Sequence, residues 1–191
     1  MKLHTDRVIG AAVVALALQA PVAGAATLPG ARLFVIDQES TVQAFFVGGE
    51  GAGLSNDLYL HSPSYEPVIF NNHSAGFGES HDLGFFAPGT ELVFRLHTSD
   101  DNDFFTGAAA ENPDGVIHAV VDDEYVNSAF ASGPLVLVSF EDLFDGGDFN
   151  YEDMVFALSN VTAVPAPVPV PALAPLAGLA ALGLLRRRRL R

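Results

Sequence analysis

The 191 residues carry 23 Asp and Glu against 9 Lys and Arg, for a formal net charge of −14, and contain no Cys. That balance excludes a surface built to hold nucleic acid or anionic lipid, and the missing thiols exclude disulfides and cysteine-based metal or redox chemistry. A hydrophobic content of 49% supplies the core of one domain once the two ends are set aside.

Residues 1–26 combine Lys2 and Arg7, an apolar run over 8–20 and the small-residue triplet Ala23-Gly24-Ala25. This is the three-part build of a secretory signal, with cleavage expected after Ala25 or Ala26. Pro21 directly after the run argues against a structural helix.

The next stretch, 27–163, reads as the folded domain. Its only basic residues are Arg32 and Arg95, and they stand against every acid of the chain but Asp6. Short apolar runs predict strands at 32–36, 41–47, 57–61, 67–70, 91–97, 116–121, 135–140 and 154–158. Between them lie the turn signals Gly48-Gly49-Glu50-Gly51, Ser62-Pro63-Ser64, Pro88-Gly89-Thr90, Asn112-Pro113-Asp114-Gly115 and Gly133-Pro134, and a helical turn is expected at 108–111. Many short strands without a long helical period predict an all-β fold, an antiparallel β-sandwich of jelly-roll type.

Between the last two of these strands lies the domain's largest group of acidic residues. Glu141, Asp142, Asp145, Asp148, Asn150, Glu152 and Asp153 surround the pair Gly146-Gly147, which supplies the positive φ of a tight reversal. Two readings stand. The first is a divalent-cation site, with calcium held by Glu141, Asp148, Asn150 and Asp153, since alternate oxygen-bearing residues on a turning backbone follow the D-x-[DN]-x-[DN] rhythm. The second is a solvated acidic hairpin whose side chains bond their own turn. The EF-hand pattern is incomplete, with Asp153 at its glycine position and Ser159 in place of its last Glu. Two other acidic runs, at 100–103 and 122–124, read as solvated loops that would add ligands only if they shared an end of the sandwich.

Other chemistry finds little support. His61, His73, His81, His97 and His118 show no zinc spacing. Ser80-His81-Asp82 are sequence neighbours, which cannot converge as a hydrolase triad, and read as a turn. The glycines of 48–53 fit no phosphate-binding loop. Asn72-His73-Ser74 and Asn160-Val161-Thr162 match the glycosylation pattern, a short one that recurs by chance.

After the domain come a Pro/Ala/Val spacer over 164–175, a short apolar helix within 176–185 and the cluster Arg186, Arg187, Arg188, Arg189 and Arg191. The apolar run is short of the roughly 20 residues a full span needs, and a basic cluster behind it marks the cytoplasmic side of a retained stop. Val168-Pro169-Val170-Pro171-Ala172, the apolar segment and the Arg cluster together resemble the PEP-CTERM sorting signal in its V-P-x-P-A variant. The resemblance implies export, transient anchoring in the inner membrane by a transmembrane helix over 176–191, and removal of the tail by an exosortase-type enzyme.

A second resemblance covers residues 83–161. Leu83-Gly84-Phe85-Phe86, Pro88-Gly89-Thr90-Glu91-Leu92-Val93-Phe94, Asn112-Pro113-Asp114-Gly115 with His118-Ala119, and Phe140-Glu141-Asp142-Leu143 followed by Gly146-Gly147-Asp148-Phe149-Asn150-Tyr151-Glu152-Asp153 are similar to the domain-of-unknown-function family 4114. Where that family commonly has G-G-D-x-D-Y-N-D, Asn150 and Glu152 substitute one oxygen donor for another. The resemblance implies an exported bacterial surface protein and states no activity. The expectation is therefore a secreted, non-enzymatic component of the cell surface or extracellular matrix, calcium-stabilised, with exopolysaccharide or matrix proteins as partners. The alternatives are a surface hydrolase acting on polysaccharide, which would show paired carboxylates of raised pKa in a concave site, and a carbohydrate-binding module.

The order of the terminal signals makes a prediction about mass. Protein recovered from the exterior of the producing cell should lack both residues 1–25 and the Arg cluster, and an intact mass that still includes Arg186 to Arg189 would refute the sorting reading.

Overall fold

The computed structural model describes residues 27–37, 39–49 and 51–167. The expected secretory segment, the apolar segment with its Arg cluster, and the spacer from residue 168 onward lie outside the described residues.

The described chain forms two antiparallel sheets. The first has the order β1 (Leu28–Pro29), β9 (Ala119–Tyr125), β10 (Leu135–Phe140), β11 (Met154–Leu158), β3 (Val42–Gly48) and β6 (Ser80–Gly84). The second runs β12 (Val161–Val164), β2 (Arg32–Val35), β7 (Glu91–Thr98), β4 (Asn56–Ser62) and β5 (Tyr65–Asn71), with β8 (Asp103–Phe105) also paired to β7. The all-β expectation holds, and no helix among the described residues is long and apolar enough to cross a membrane.

Strict alternation explains the strands. In β7, Leu92, Phe94, Leu96 and Thr98 are buried while Glu91, Val93, Arg95 and His97 are half-exposed, which is the period-2 signature of a sheet with one face in a core. Val42, Ala44 and Phe46 of β3 and Leu58 and Leu60 of β4 do the same. The two inner faces meet in one buried cluster. Phe94 of the second sheet packs on Phe156 of the first with centroids 5.0 Å apart, and Phe46 on Phe70 at 5.6 Å. Each such ring contributes roughly 1.5–3 kcal/mol through removal from water.

Several elements differ from expectation. Ser80-His81-Asp82 is not a turn but the edge strand β6, held by pairing of His81 with Ala44 and Asp82 with Gln43. Asp122, Asp123 and Glu124 lie on β9 rather than in a loop, and 116–118 precede that strand. The short strands β1, β8 and β12 were not expected, whereas the helical turn appears as a single 3-10 turn, Ala109–Glu111.

The hairpin β10–β11 lies within the first sheet, with Phe140 paired to Met154 and Val138 to Phe156. The acidic segment is thus the loop that leaves and re-enters the sheet at one end. If the two sheets depend on the ring contacts between them, Phe156→Ala should lower stability by about 3–5 kcal/mol, read as the denaturant midpoint. Phe85→Ala, at a ring 67% exposed, should change it by less than about 0.5 kcal/mol.

Candidate metal centre

Pairing stops at Phe140 and Met154, so Glu141 and Asp142 leave one strand opposite Asp153, which enters the other. The backbone closes the gap: Asp153 N–H donates to Phe140 O at 3.1 Å, and Asp142 N–H donates to the Asp153 carboxylate at 3.1 Å. One oxygen from each of Glu141, Asp142 and Asp153 falls within 4.8 Å of the others, and this is the group among the described residues suited to hold a metal ion. Glu141 is 0% and Asp142 3% exposed, whereas acidic turns ordinarily stay in water.

The geometry leaves polar atoms unserved. One oxygen of Glu141 accepts from Leu143 N–H at 3.2 Å, but its Oε2 is buried without a partner. Asn56, also fully buried, donates through Nδ2 to Asp142 at 2.8 Å and leaves its own Oδ1 unpartnered. An unsatisfied buried polar atom costs roughly 1–3 kcal/mol, and more when charged. Among the described residues no Lys or Arg is free to neutralise the group, since Arg32 is paired with Glu91 and Arg95 with Asp103.

Burial first, and then mutual repulsion, raises the pKa of Asp153 to about 6. Burial likewise pushes the Glu141 and Asp142 carboxyls above their usual range, against the hydrogen bonds each receives. Two like charges about 5 Å apart repel by on the order of 3 kcal/mol at an effective dielectric of about 20. A cation converts that repulsion into attraction and satisfies Glu141 Oε2 at the same time. Carboxylate and amide oxygens are hard donors, which suits calcium.

Two glycines set the shape of the loop around the carboxylates. Gly147 adopts φ 48°, and a Cβ there would sit 2.5 Å from Glu141 Oε1, so only glycine lets that carboxylate lie where it does. Gly49, at φ 125°, makes the same close approach on the other side, where a Cβ would lie 2.5 Å from Asp153 O.

Behind the carboxylates stands a buried frame. The His118 ring bonds Glu141 O at 2.9 Å through Nδ1 and Asp114 at 2.8 Å through Nε2, and it stacks on Phe104 with centroids 3.7 Å apart. Burial pushes the Asp114 carboxyl up, but the bonds it receives from Val116 N–H, His118 and Asp145 N–H outweigh this and hold it below the usual range. Asn72 donates to Gly49 O, Leu54 O and Asp153 O and accepts from Asn56 N–H, tying the β3–β4 loop to the hairpin. Asn72 is therefore a buried staple and not an exposed glycan acceptor.

Of the expected ligands, the structure brings Glu141 and Asp153 together and leaves Asp148 and Asn150 outside the group. Both are exposed, with Asp148 accepting from Asn150 N–H and Nδ2, each at 3.2 Å, while Asn150 accepts from Glu152 N–H. They do line the cleft of about 480 Å³ onto which the three carboxylates open. Asp142 was missed because the expected ligands followed the alternate spacing of Asp148 and Asn150, whereas the group forms where Glu141 and Asp142 leave β10 just past Phe140. Asn56 lies 86 residues from Asp142, and no local pattern marks it. Of the other acidic runs, Asp100 is near enough to help raise Asp142 but accepts from Thr98 Oγ1 instead.

No family model matches this chain, and no curated protein or solved structure matches it. The site's chemistry therefore carries the functional argument.

The raised carboxyls set a pH dependence. Asp153 binds its proton more tightly folded than unfolded, so its contribution to stability is fully present below its unfolded value of 3.8 and is lost as pH rises through about 6. In EDTA the melting temperature should thus fall across that window, and Asp153→Asn should flatten the fall. Calcium needs the ionised form, so its stabilising increment should grow over the same window. A parent whose melting in EDTA is flat from pH 4 to about 6.5 would contradict this assignment.

Proposed function

We propose that this chain is an exported, calcium-stabilised sandwich of jelly-roll type that serves as a non-catalytic structural or binding component of the cell surface or extracellular matrix. The observation that carries the reading is the triad of Glu141, Asp142 and Asp153, with Glu141 Oε2 unpartnered and no Lys or Arg among the described residues to meet it. Passage of the chain back and forth between the two sheets supports the jelly-roll assignment. The terminal signals and the resemblances to the PEP-CTERM tail and to family 4114 support the location, with an exosortase-type enzyme and matrix polysaccharide as partners.

Extracellular calcium sites bind at roughly 10⁻⁴–10⁻³ M. Millimolar calcium then adds about 0.4–1.4 kcal/mol by mass action, a rise of a few degrees in melting temperature. Magnesium should add less, because it demands octahedral geometry and sheds water reluctantly.

One observation favours a second reading, a polysaccharide hydrolase: carboxyls of raised pKa do stand together in a cleft. Retaining glycosidases hold two carboxyls about 5–5.5 Å apart on either side of the scissile bond. Here three converge on one point and Glu141 is fully buried, an arrangement that suits an ion better than a sugar ring between two acids.

Thermal melting of the full chain in EDTA, calcium and magnesium separates these readings when joined to an assay for released reducing sugar. Calcium should raise the parent's melting point and lose that effect in Asp142→Asn and Asp153→Asn, while Asp148→Asn keeps it. An equal rise in all four proteins would mean general screening of an acidic surface and would remove the specific site. Sugar release that disappears in Asp153→Asn would establish the hydrolase.

A further inference from the structure

Three carboxylates supply between three and six oxygens, and calcium takes six to eight. The positions left over face the cleft, because Glu141, Asp142 and Asp153 themselves form part of its wall. The rest of the lining comes from Gly51, Ala52, Gly53 and Leu54 of the β3–β4 loop and from Leu143, Asp148 and Asn150. Neither Gly51 nor Gly53 would meet any atom within 4 Å on gaining a Cβ, so this wall stands clear of the rest of the protein. The volume, about 480 Å³, falls in the range of roughly 300–1,000 Å³ typical of small-molecule sites.

We propose that calcium held by Glu141, Asp142 and Asp153 forms the floor of a glycan site, in which two adjacent hydroxyls of a neutral sugar complete its coordination from the cleft. The inference rests on the calcium reading above. The unpartnered, fully buried Glu141 Oε2 fixes the ion at the bottom, and the open cleft gives a ligand access to the ion's outer face. The charge of the walls selects the ligand class. No Lys or Arg among the described residues lines the cleft, and Asp148 and the triad would repel a carboxylate or phosphate. Hydroxyl groups are neutral oxygen donors that can replace water on calcium, and their protons can be given to Asp148 or to the Asn150 side-chain oxygen. Leu54 and Leu143 offer apolar surface for the C–H face of a ring. The two adjacent oxygens of a diol bind in one event, which favours them over two separate waters.

The test titrates the full chain by calorimetry, first with calcium alone. It then uses methyl α-mannoside, methyl β-galactoside and methyl β-glucoside in calcium and in EDTA, with an isopropylidene-blocked mannoside as control. At least one free glycoside should bind in calcium and weaken by about tenfold or more in EDTA, and the blocked sugar should not bind. Ala52→Trp should fill the cleft, leaving calcium affinity within about twofold and weakening the sugar by about tenfold or more. No calcium binding in the parent would overturn the ion and the glycan site together. Calcium binding with no response to any of the three sugars, or sugar binding equal in EDTA or in Ala52→Trp, would overturn the glycan site alone.

Discussion

Phe140 and Met154 face each other across the central hairpin, and that single register step governs both the core and the acidic end of the molecule. Side chains alternate along a strand, so a slip of one residue would turn Phe140 and Phe156 out of the core and carry Asp153 away from Glu141 and Asp142. Packing of Phe156 against Phe94 fixes the register from the apolar side, and the bond from Asp142 N–H to the Asp153 carboxylate fixes it from the polar side. The same pairing that buries the rings also buries Glu141 and Asp142 and holds Asp153 half-buried beside them.

Charge is distributed with a consistent logic. Arg32 and Arg95 each lie over a ring of the second sheet, Phe34 and Tyr59, and each is paired with an acid there. Positive charge is thus used to hold one sheet face, while the loops at the far end of the hairpin carry negative charge alone. Behind them His118 is a buried ring that joins Asp114 to the backbone of Glu141. It braces the triad from behind without meeting its carboxylates.

Where a segment's burial pattern was written in its own residues, the sequence reading located it well. The strands β3, β4, β7, β10 and β11 alternate or run apolar between Gly and Pro turns, and the Gly146-Gly147 reversal follows from conformations that few other residues adopt. The polar strand β6 was illegible because an edge strand with one neighbour needs no apolar alternation, and its order comes from pairing with β3. At the candidate site, Glu141 and Asp153 could be named because they belong to the acidic segment whose alternate oxygen-bearing residues follow a calcium-like rhythm. Asn56, Asn72 and His118 reach it through tertiary folding, across separations that no local motif encodes. Asp148 and Asn150 carried the calcium-like spacing, yet their side chains close their own turn, which is the competing habit of Asp and Asn in loops.

The last strand gives the fold a mechanical asymmetry. β12 lies at an edge and is bonded on one side only, to β2, with Val164 opposite Arg32 and Val161 opposite Val35. Tension drawn through the backbone after Val164 therefore reaches this strand before any other part of the sandwich. The hairpin that holds the carboxylates belongs to the other sheet, flanked on both sides by β9 and β3. A pull from that end first peels a short seam whose loss leaves the acidic end paired, so the domain yields at its hem before its acidic mouth is loaded.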